Sequence, residues 1–214
     1  MIRQQFDQIL TELEINRLAN DETRQVPLFQ PTEVAVTVTY ISANGASPLA
    51  SRQGIERTHP QTEIRFTNGP GAGKADQDQA PGVPLPSGTA RVYQADSTGS
   101  PRLIGEDRIP HTPVGETVKL QTGRAFDITI ERRQTAFSRL DADQKLFESA
   151  YAITVKNAKT REAKVRIVES LPGDWEILSE NTPHQKPTAN RAVWPLTVPA
   201  GGEVNLTYTV RVRL

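Results

Sequence analysis

The 214-residue sequence contains no cysteine. That absence excludes a disulfide framework, a thiolate zinc site and a cysteine nucleophile, and it removes any redox signature of compartment. Net charge is missing as well, because 25 basic side chains are matched by 25 acidic ones. Without a basic excess there is no dominant electrostatic drive toward nucleic acid or an anionic membrane. Long apolar runs are also absent: apolar residues make up 36% of the chain, and no run approaches the roughly 20 residues that span a bilayer. The N-terminus lacks the basic, apolar, small-residue order of a signal peptide. Aromatic residues amount to 6% and form no platform interleaved with Lys or Arg, which argues against single-strand nucleic-acid binding. The composition is that of a soluble globular protein.

What is present is alternation. At the C-terminus Val204, Leu206, Tyr208, Val210, Val212 and Leu214 alternate with Glu203, Asn205, Thr207, Thr209, Arg211 and Arg213, the pattern of a half-buried antiparallel strand. The same period-two pattern recurs in Val34, Val36, Val38 and Tyr40 and in Tyr151, Ile153 and Val155. Shorter versions occur at Ile64 and Phe66, at Val118 and Leu120, and at Phe126, Ile128 and Ile130. Gly- and Pro-containing turn clusters at 97–101, 171–174 and 199–202 separate them. The spacing gives about twelve short strands, more than one seven-to-nine-stranded sandwich holds. The expected fold is therefore all-β, with two tandem antiparallel β-sandwich units of immunoglobulin-like type covering 26–123 and 124–214. A single larger sandwich, with the strand beginning at Phe126 passing between sheets, is the competing arrangement. Residues 1–25 form an N-terminal segment in which Phe6, Ile9, Leu10 and Leu13 have helical spacing, which predicts a short helix followed by a strand. The stretch 69–84, rich in Gly, Pro, Asp, Gln and Ala, reads as a mobile surface loop.

Most chemical motifs fail on their own spacing. The run from Gly69 to Ala75 resembles a phosphate loop only superficially, since Asn68 takes the first Gly position, Ala75 the hydroxyl position, and no amphipathic helix follows. His59, His111 and His184 are far apart and lack a paired-histidine zinc motif, so no metal site is expected. Asp76 with Asp78 and Asp141 with Asp143 lack the Gly and distal Glu of a calcium loop. No Gly-x-Ser-x-Gly elbow is present. Glu106, Asp107, Glu131, Glu148 and Asp174 qualify as a glycosidase pair only if two of them sit about 5 to 9 Å apart in a cleft. Asn205-Leu206-Thr207 is a glycosylation sequon placed on a strand. The segment with the densest opposite charge runs through 105–113, 123–127 and 131–133. Asp107, His111, Arg124 and Asp127 are its candidate binding residues, with Arg124 expected to pair with Asp127 or Asp107 as part of an inter-domain salt-bridge network.

Taken in order, the segments 83–93, 105–112, 123–127, 171–176 and 199–213 resemble the C-terminal domain of mucoidy-inhibitor-A-like bacterial proteins, a domain of unknown function. The resemblance runs from about Val26 to Leu214. It implies an all-β domain that in longer relatives follows an N-terminal β domain and a coiled-coil insertion, in exported or envelope-associated proteins. It supplies no activity and no catalytic residue to transfer. Two departures stand out: the loop at 69–84 is longer than usual, and Pro110 replaces an expected acidic residue before His111.

The functional expectation is a non-enzymatic interaction or structural module of the cell envelope or periplasm, without cofactor, nucleic-acid partner or membrane insertion. It would bind a protein or envelope partner, including an upstream domain, or self-associate, through strand edges or end loops. The runner-up is a hydrolase acting on a cell-envelope polymer through a carboxylate pair. The stretch 34–41, with Thr on its polar face and no internal Pro, is the expected partner edge.

Overall fold

The structure, a computed structural model, describes residues 2–6, 34–43, 47–69, 82–96, 98–141, 143 and 145–214. The described residues contain no helix. Their strands are β1 (Ile2–Phe6), β2 (Thr37–Ser42), β3 (Glu56–Thr58), β4 (Gln61–Thr67), β5 (Gly88–Ala95), β6 (Pro101–Ile109) and β7 (Thr117–Arg124). They continue with β8 (Ile128–Asp141), β9 (Leu146–Asn157), β10 (Ala163–Ser170), β11 (Asp174–Glu180), β12 (Gln185–Thr188), β13 (Arg191–Val198) and β14 (Glu203–Arg213). The sheet orders are β1-β5-β6, β12-β13-β10-β2-β4-β7 and β11-β14-β9-β8-β3.

The all-β expectation holds, and the final strand is interior, between β11 and β9. The 34–41 stretch behaves differently from the expectation. Its strand is Thr37–Ser42, flanked by β10 and β4, so it is not a sheet edge. Its neighbour β10 runs parallel to it, with Val165 opposite Tyr40 and Ile167 opposite Ser42. At the N-terminus Phe6 closes a strand antiparallel to β5; the remainder of the expected helix lies outside the described residues, as do residues 70–81 of the 69–84 loop.

Two compact units share the chain: 1–38 with 63–123, and 39–62 with 124–214. In the first, Ile64, Phe66, Leu85, Ala90, Val92, Ile109, Val118 and Leu120 form one buried cluster, with Val34, Val36 and Val38 packed on it. All of the cluster but Leu85, which bridges to Thr112 ahead of β5, comes from the inward positions of β4, β5, β6 and β7, where alternation puts every second side chain on the core face. In the second unit, β8, β9, β14 and β11 form an antiparallel sheet. Facing it is a layer built on β10 and β13. Buried Ile128, Ile130, Ile153, Val155, Leu206 and Val210 belong to the first layer, and Val165, Ile167, Trp194 and Leu196 to the second. The layers meet where the Trp194 ring stacks on Tyr208, 4.5 Å between centroids.

Each unit closes one end with a buried asparagine. Asn68 Nδ2 donates to the carbonyls of Val83 (2.9 Å), Thr112 (3.1 Å) and Pro113 (3.1 Å), and its N–H donates to Glu116 O (2.8 Å). Asn157 repeats the arrangement, with Nδ2 donating to Arg161 O (2.9 Å), Val198 O (3.2 Å) and Pro199 O (3.0 Å) and its N–H to Gly202 O (2.9 Å). In both units the clamp ties a strand end to the Pro-containing turn before the last strand, satisfying loop carbonyls that would otherwise be buried unpaired.

Candidate functional site

Arg132 and Glu169 are the most heavily buried ion pair of the second unit, with side-chain exposures of 6% and 1%. Arg132 follows Ile128 and Ile130 on the inward face of β8; Glu169 follows Val165 and Ile167 on that of β10. Arg132 donates to Glu169 through Nη2 and to the Tyr208 hydroxyl through Nη1 (3.4 Å), and its guanidinium lies over the Tyr151 ring. Burial pushes the Glu169 carboxyl up against the pull of Arg132, and burial together with the Glu169 charge raises Tyr208 well above its ordinary value. From this centre an aromatic series runs outward through Tyr208, Trp194, His184 and Trp175, ending in the Lys186 ammonium 4.2 Å from the Trp175 centroid. Glu180 organises its outer part, accepting from Trp194 Nε1 (2.8 Å) and from His184 Nδ1 (3.0 Å). The network joins both layers of the unit and has its hydrogen bonds met internally, so it specifies packing rather than offering a reactive group.

A cavity of about 330 Å³ lies on the outward face of β8, β9, β14 and β11, lined by Thr135, Ala150, Ala152, Thr207 and Thr209 among others. The one carboxylate residue in its lining is Glu180. Since that side chain is committed to Trp194 and His184, the cavity holds no acid pair of the kind glycoside hydrolysis needs. Among the described residues no group of His, Asp and Glu could hold a metal ion. His59 Nδ1 donates to Ile128 O (2.9 Å), His111 Nδ1 accepts from the Ser87 N–H (3.3 Å), and His184 belongs to the aromatic series.

The four residues singled out from the sequence do not converge. Asp107 on β6 accepts the backbone N–H groups of Arg108 and Gln121, each at 2.8 Å, and thereby caps a donor of the sheet-edge strand β7. His111 is exposed and contacts Ser87. Asp127 pairs with Lys159 (2.8 Å) rather than Arg124. Arg124 is exposed and makes no ion pair among the described residues. The other charge-rich positions are matched elsewhere: Glu131 with Arg57 (2.6 Å) and Lys156 (3.1 Å), and Glu148 with Arg211 (3.1 Å).

Arg124 and Asp127 nevertheless flank the most conspicuous surface feature of the second unit. Phe126 between them is 77% exposed. Its turn is fixed by three backbone hydrogen bonds: Ala125 N–H to Pro60 O (2.9 Å), Ile128 N–H to Ala125 O (3.1 Å) and Ala158 N–H to Asp127 O (2.8 Å). Lys159, paired with Asp127, also lies over the Tyr40 ring, and the His59 ring sits 5.7 Å from that of Phe126. Ala125 is buried, while Arg124 and Phe126 on either side of it are both exposed. Single exposed apolar residues are ordinary. A fixed backbone separates this one from the ordinary case, because burying a Phe contributes about 1.5 to 3 kcal/mol and a pre-ordered turn loses little entropy on binding. Sequence reasoning read Phe126 as the start of a strand alternation. The missed signal is that it occupies the turn before Ile128, where the alternation has not yet begun. No protein-family model, no curated protein and no solved structure matches this chain.

Proposed function

We propose that the protein is a non-enzymatic interaction module of two immunoglobulin-like units that binds a protein partner through side chains displayed on its end turns. The observation that carries this reading is Phe126, largely exposed on a turn held by backbone hydrogen bonds and an ion pair. The strand edges of the second unit are less inviting. β3 is three residues long and carries Glu56 and Arg57, β12 carries Lys186 and Pro187, and β11 has an irregularity between Ile177 and Ser179 with acidic residues along it. Short, charged, proline-bearing or bulged strands resist strand addition. The immunoglobulin-like assignment draws support from the shared scheme of the units, a hairpin or strand pair (β5-β6, β10-β13) facing a strand pair closed by an asparagine clamp (β4-β7, β9-β14). Placement in the bacterial cell envelope rests on the likeness to mucoidy-inhibitor-A-like proteins.

The test is affinity capture on the immobilised full chain, followed by titration calorimetry with the purified captured protein. Phe126→Ser should weaken binding at least about tenfold, as truncating an interface anchor does, without altering thermal stability. Equal affinity of the two chains would overturn the reading, as would capture of nothing beyond a blank matrix.

A further inference from the structure

Resting on the reading of the chain as a binding module, the charges around the Phe126 turn identify the kind of surface it fits. Asp127 is neutralised by Lys159 at 2.8 Å. Arg124, two residues before Phe126 in the chain, is exposed as well and makes no ion pair among the described residues. Arg161, three residues beyond the Asp127-bonded Ala158, is exposed as well, beside exposed Glu162. The uncompensated charge next to the displayed ring is therefore the Arg124 guanidinium, a planar fork suited to a carboxylate. We infer that Arg124 and Phe126 together form a two-point anchor for a protein partner whose surface offers an apolar socket rimmed by Asp or Glu. The aromatic ring would fill the socket, and the guanidinium would pair with the acidic rim as the contact loses water. Residues of these two types are the ones that dominate binding energy when they sit at the centre of an interface, and both are exposed here within three residues of chain.

Photocrosslinking tests this directly. The full chain carrying p-benzoylphenylalanine at position 126 is irradiated in cells that naturally express it, with the same probe at Leu103 and at Leu178 in parallel. The expected adduct at 126 is to one protein other than this chain, at a peptide containing apolar residues and Asp or Glu. Arg124→Glu should cut its yield about tenfold while Arg124→Lys retains most of it. Four results would overturn the inference: no adduct at 126 above the Leu178 control, an adduct to a second copy of this chain, a crosslinked peptide with basic residues at the rim, or a yield unchanged by Arg124→Glu. An adduct at 126 whose yield survives Arg124→Glu would remove the acidic rim and leave the module reading standing; no adduct at 126 would remove both. Circular dichroism of each variant confirms that the exposed substitutions leave the fold intact.

Discussion

Asn68 and Asn157 do the same work with one difference that the sequence explains. Asn157 Oδ1 accepts the N–H of Lys159, two residues on, at 3.0 Å. Two residues beyond Asn68 stands Pro70, which has no N–H to donate, and Asn68 Oδ1 is buried without a partner among the described residues. Replacing either Asn by Ala strands the loop carbonyls it serves, but only in Asn157→Ala is a satisfied acceptor also lost. Asn157→Ala should cost about 2 to 3 kcal/mol in urea unfolding and Asn68→Ala about 1 kcal/mol less, because the second change also removes an unsatisfied group. Equal costs would show that Oδ1 of Asn68 is satisfied in solution. Close backbone approach governs Gly105, where a Cβ would lie 2.6 Å from Thr122 O and 2.7 Å from its Cα. Since neither atom can swing aside, Gly105→Ala should destabilise by about 1 to 3 kcal/mol in the same assay. Asp96 sets the acid limit of the β5-β6 turn. Hydrogen bonds from the Thr98 hydroxyl and from Arg102, with backbone N–H groups of Thr98 and Ser100, hold its carboxyl at about 2 against an ordinary 3.8. A carboxyl lowered by folding stabilises the turn above its unfolded value, and that contribution disappears as pH falls from near 3.8 through about 2. Amide exchange at Thr98 and Ser100 should accelerate, relative to the intrinsic rate, across that window and not above it. Asp96→Asn should remove the dependence.

At the scale of the strand, alternation carried most of what could be read in advance. β14 and β9 pair from Glu203 opposite Lys156 to Arg213 opposite Leu146, and β14 and the 151–155 part of β9 were visible as period-two runs because one face is buried and the other solvated. β12, reading Gln-Lys-Pro-Thr with every residue exposed, had no such signal. The interior position of β2 was equally hidden, since its parallel neighbour β10 lies more than a hundred residues away in sequence and alternation says nothing about who pairs with whom. The buried ion pair was legible in principle. Ile128, Ile130, Arg132 and Val165, Ile167, Glu169 each place a charge where the period demands an apolar residue, and two such violations of opposite sign predict each other. The candidate anchor was only half legible, as a charge cluster without the exposed ring, because solvent exposure on a turn has no period. The pair's energetics follow from burial. Glu169→Gln leaves the Arg132 charge buried without its counter-ion and should cost about 3 to 5 kcal/mol. Arg132→Met, Glu169→Leu and Tyr208→Phe made together remove every charge and the hydroxyl that served them, and should fall within about 1 kcal/mol of the parent or exceed it. If the triple variant were as unstable as Glu169→Gln, the network would be contributing net stability that burial arithmetic does not allow.

For the whole molecule the decisive fact is how the chain is shared between its units. The last passage from the first unit to the second falls between Gly123 and Arg124, but residues 39–62 have already joined the second unit earlier in the sequence. Their contributions there are specific. The end of β2 pairs with β10, β3 pairs with β8, the Arg52 N–H and Ala50 carbonyl engage the Gln134 side chain, and Ser149, buried in β9, donates to Pro48 O at 2.7 Å. A fragment of 124–214 alone would therefore bare one side of β10 and one side of β8 and lose the hydrogen bonds that Gln134 and Ser149 make to 48–52. Unpaired strand edges of this kind invite aggregation, and each lost hydrogen bond removes about 0.5 to 1.5 kcal/mol from the roughly 5 to 15 kcal/mol on which domains of this size depend. The expected result is that 124–214 expressed by itself is aggregated or lacks dispersed amide resonances. Because the Ala125 N–H bonds to Pro60 O at 2.9 Å, Thr62 and Arg124 lie close enough for a short Gly-Ser linker to bypass 63–123. The chain 39–62, linker, 124–214 should then recover a dispersed spectrum and a cooperative melt. A well-folded 124–214 fragment would show instead that the 39–62 segment is an accessory to a unit already complete, and the linked chain would gain nothing over it.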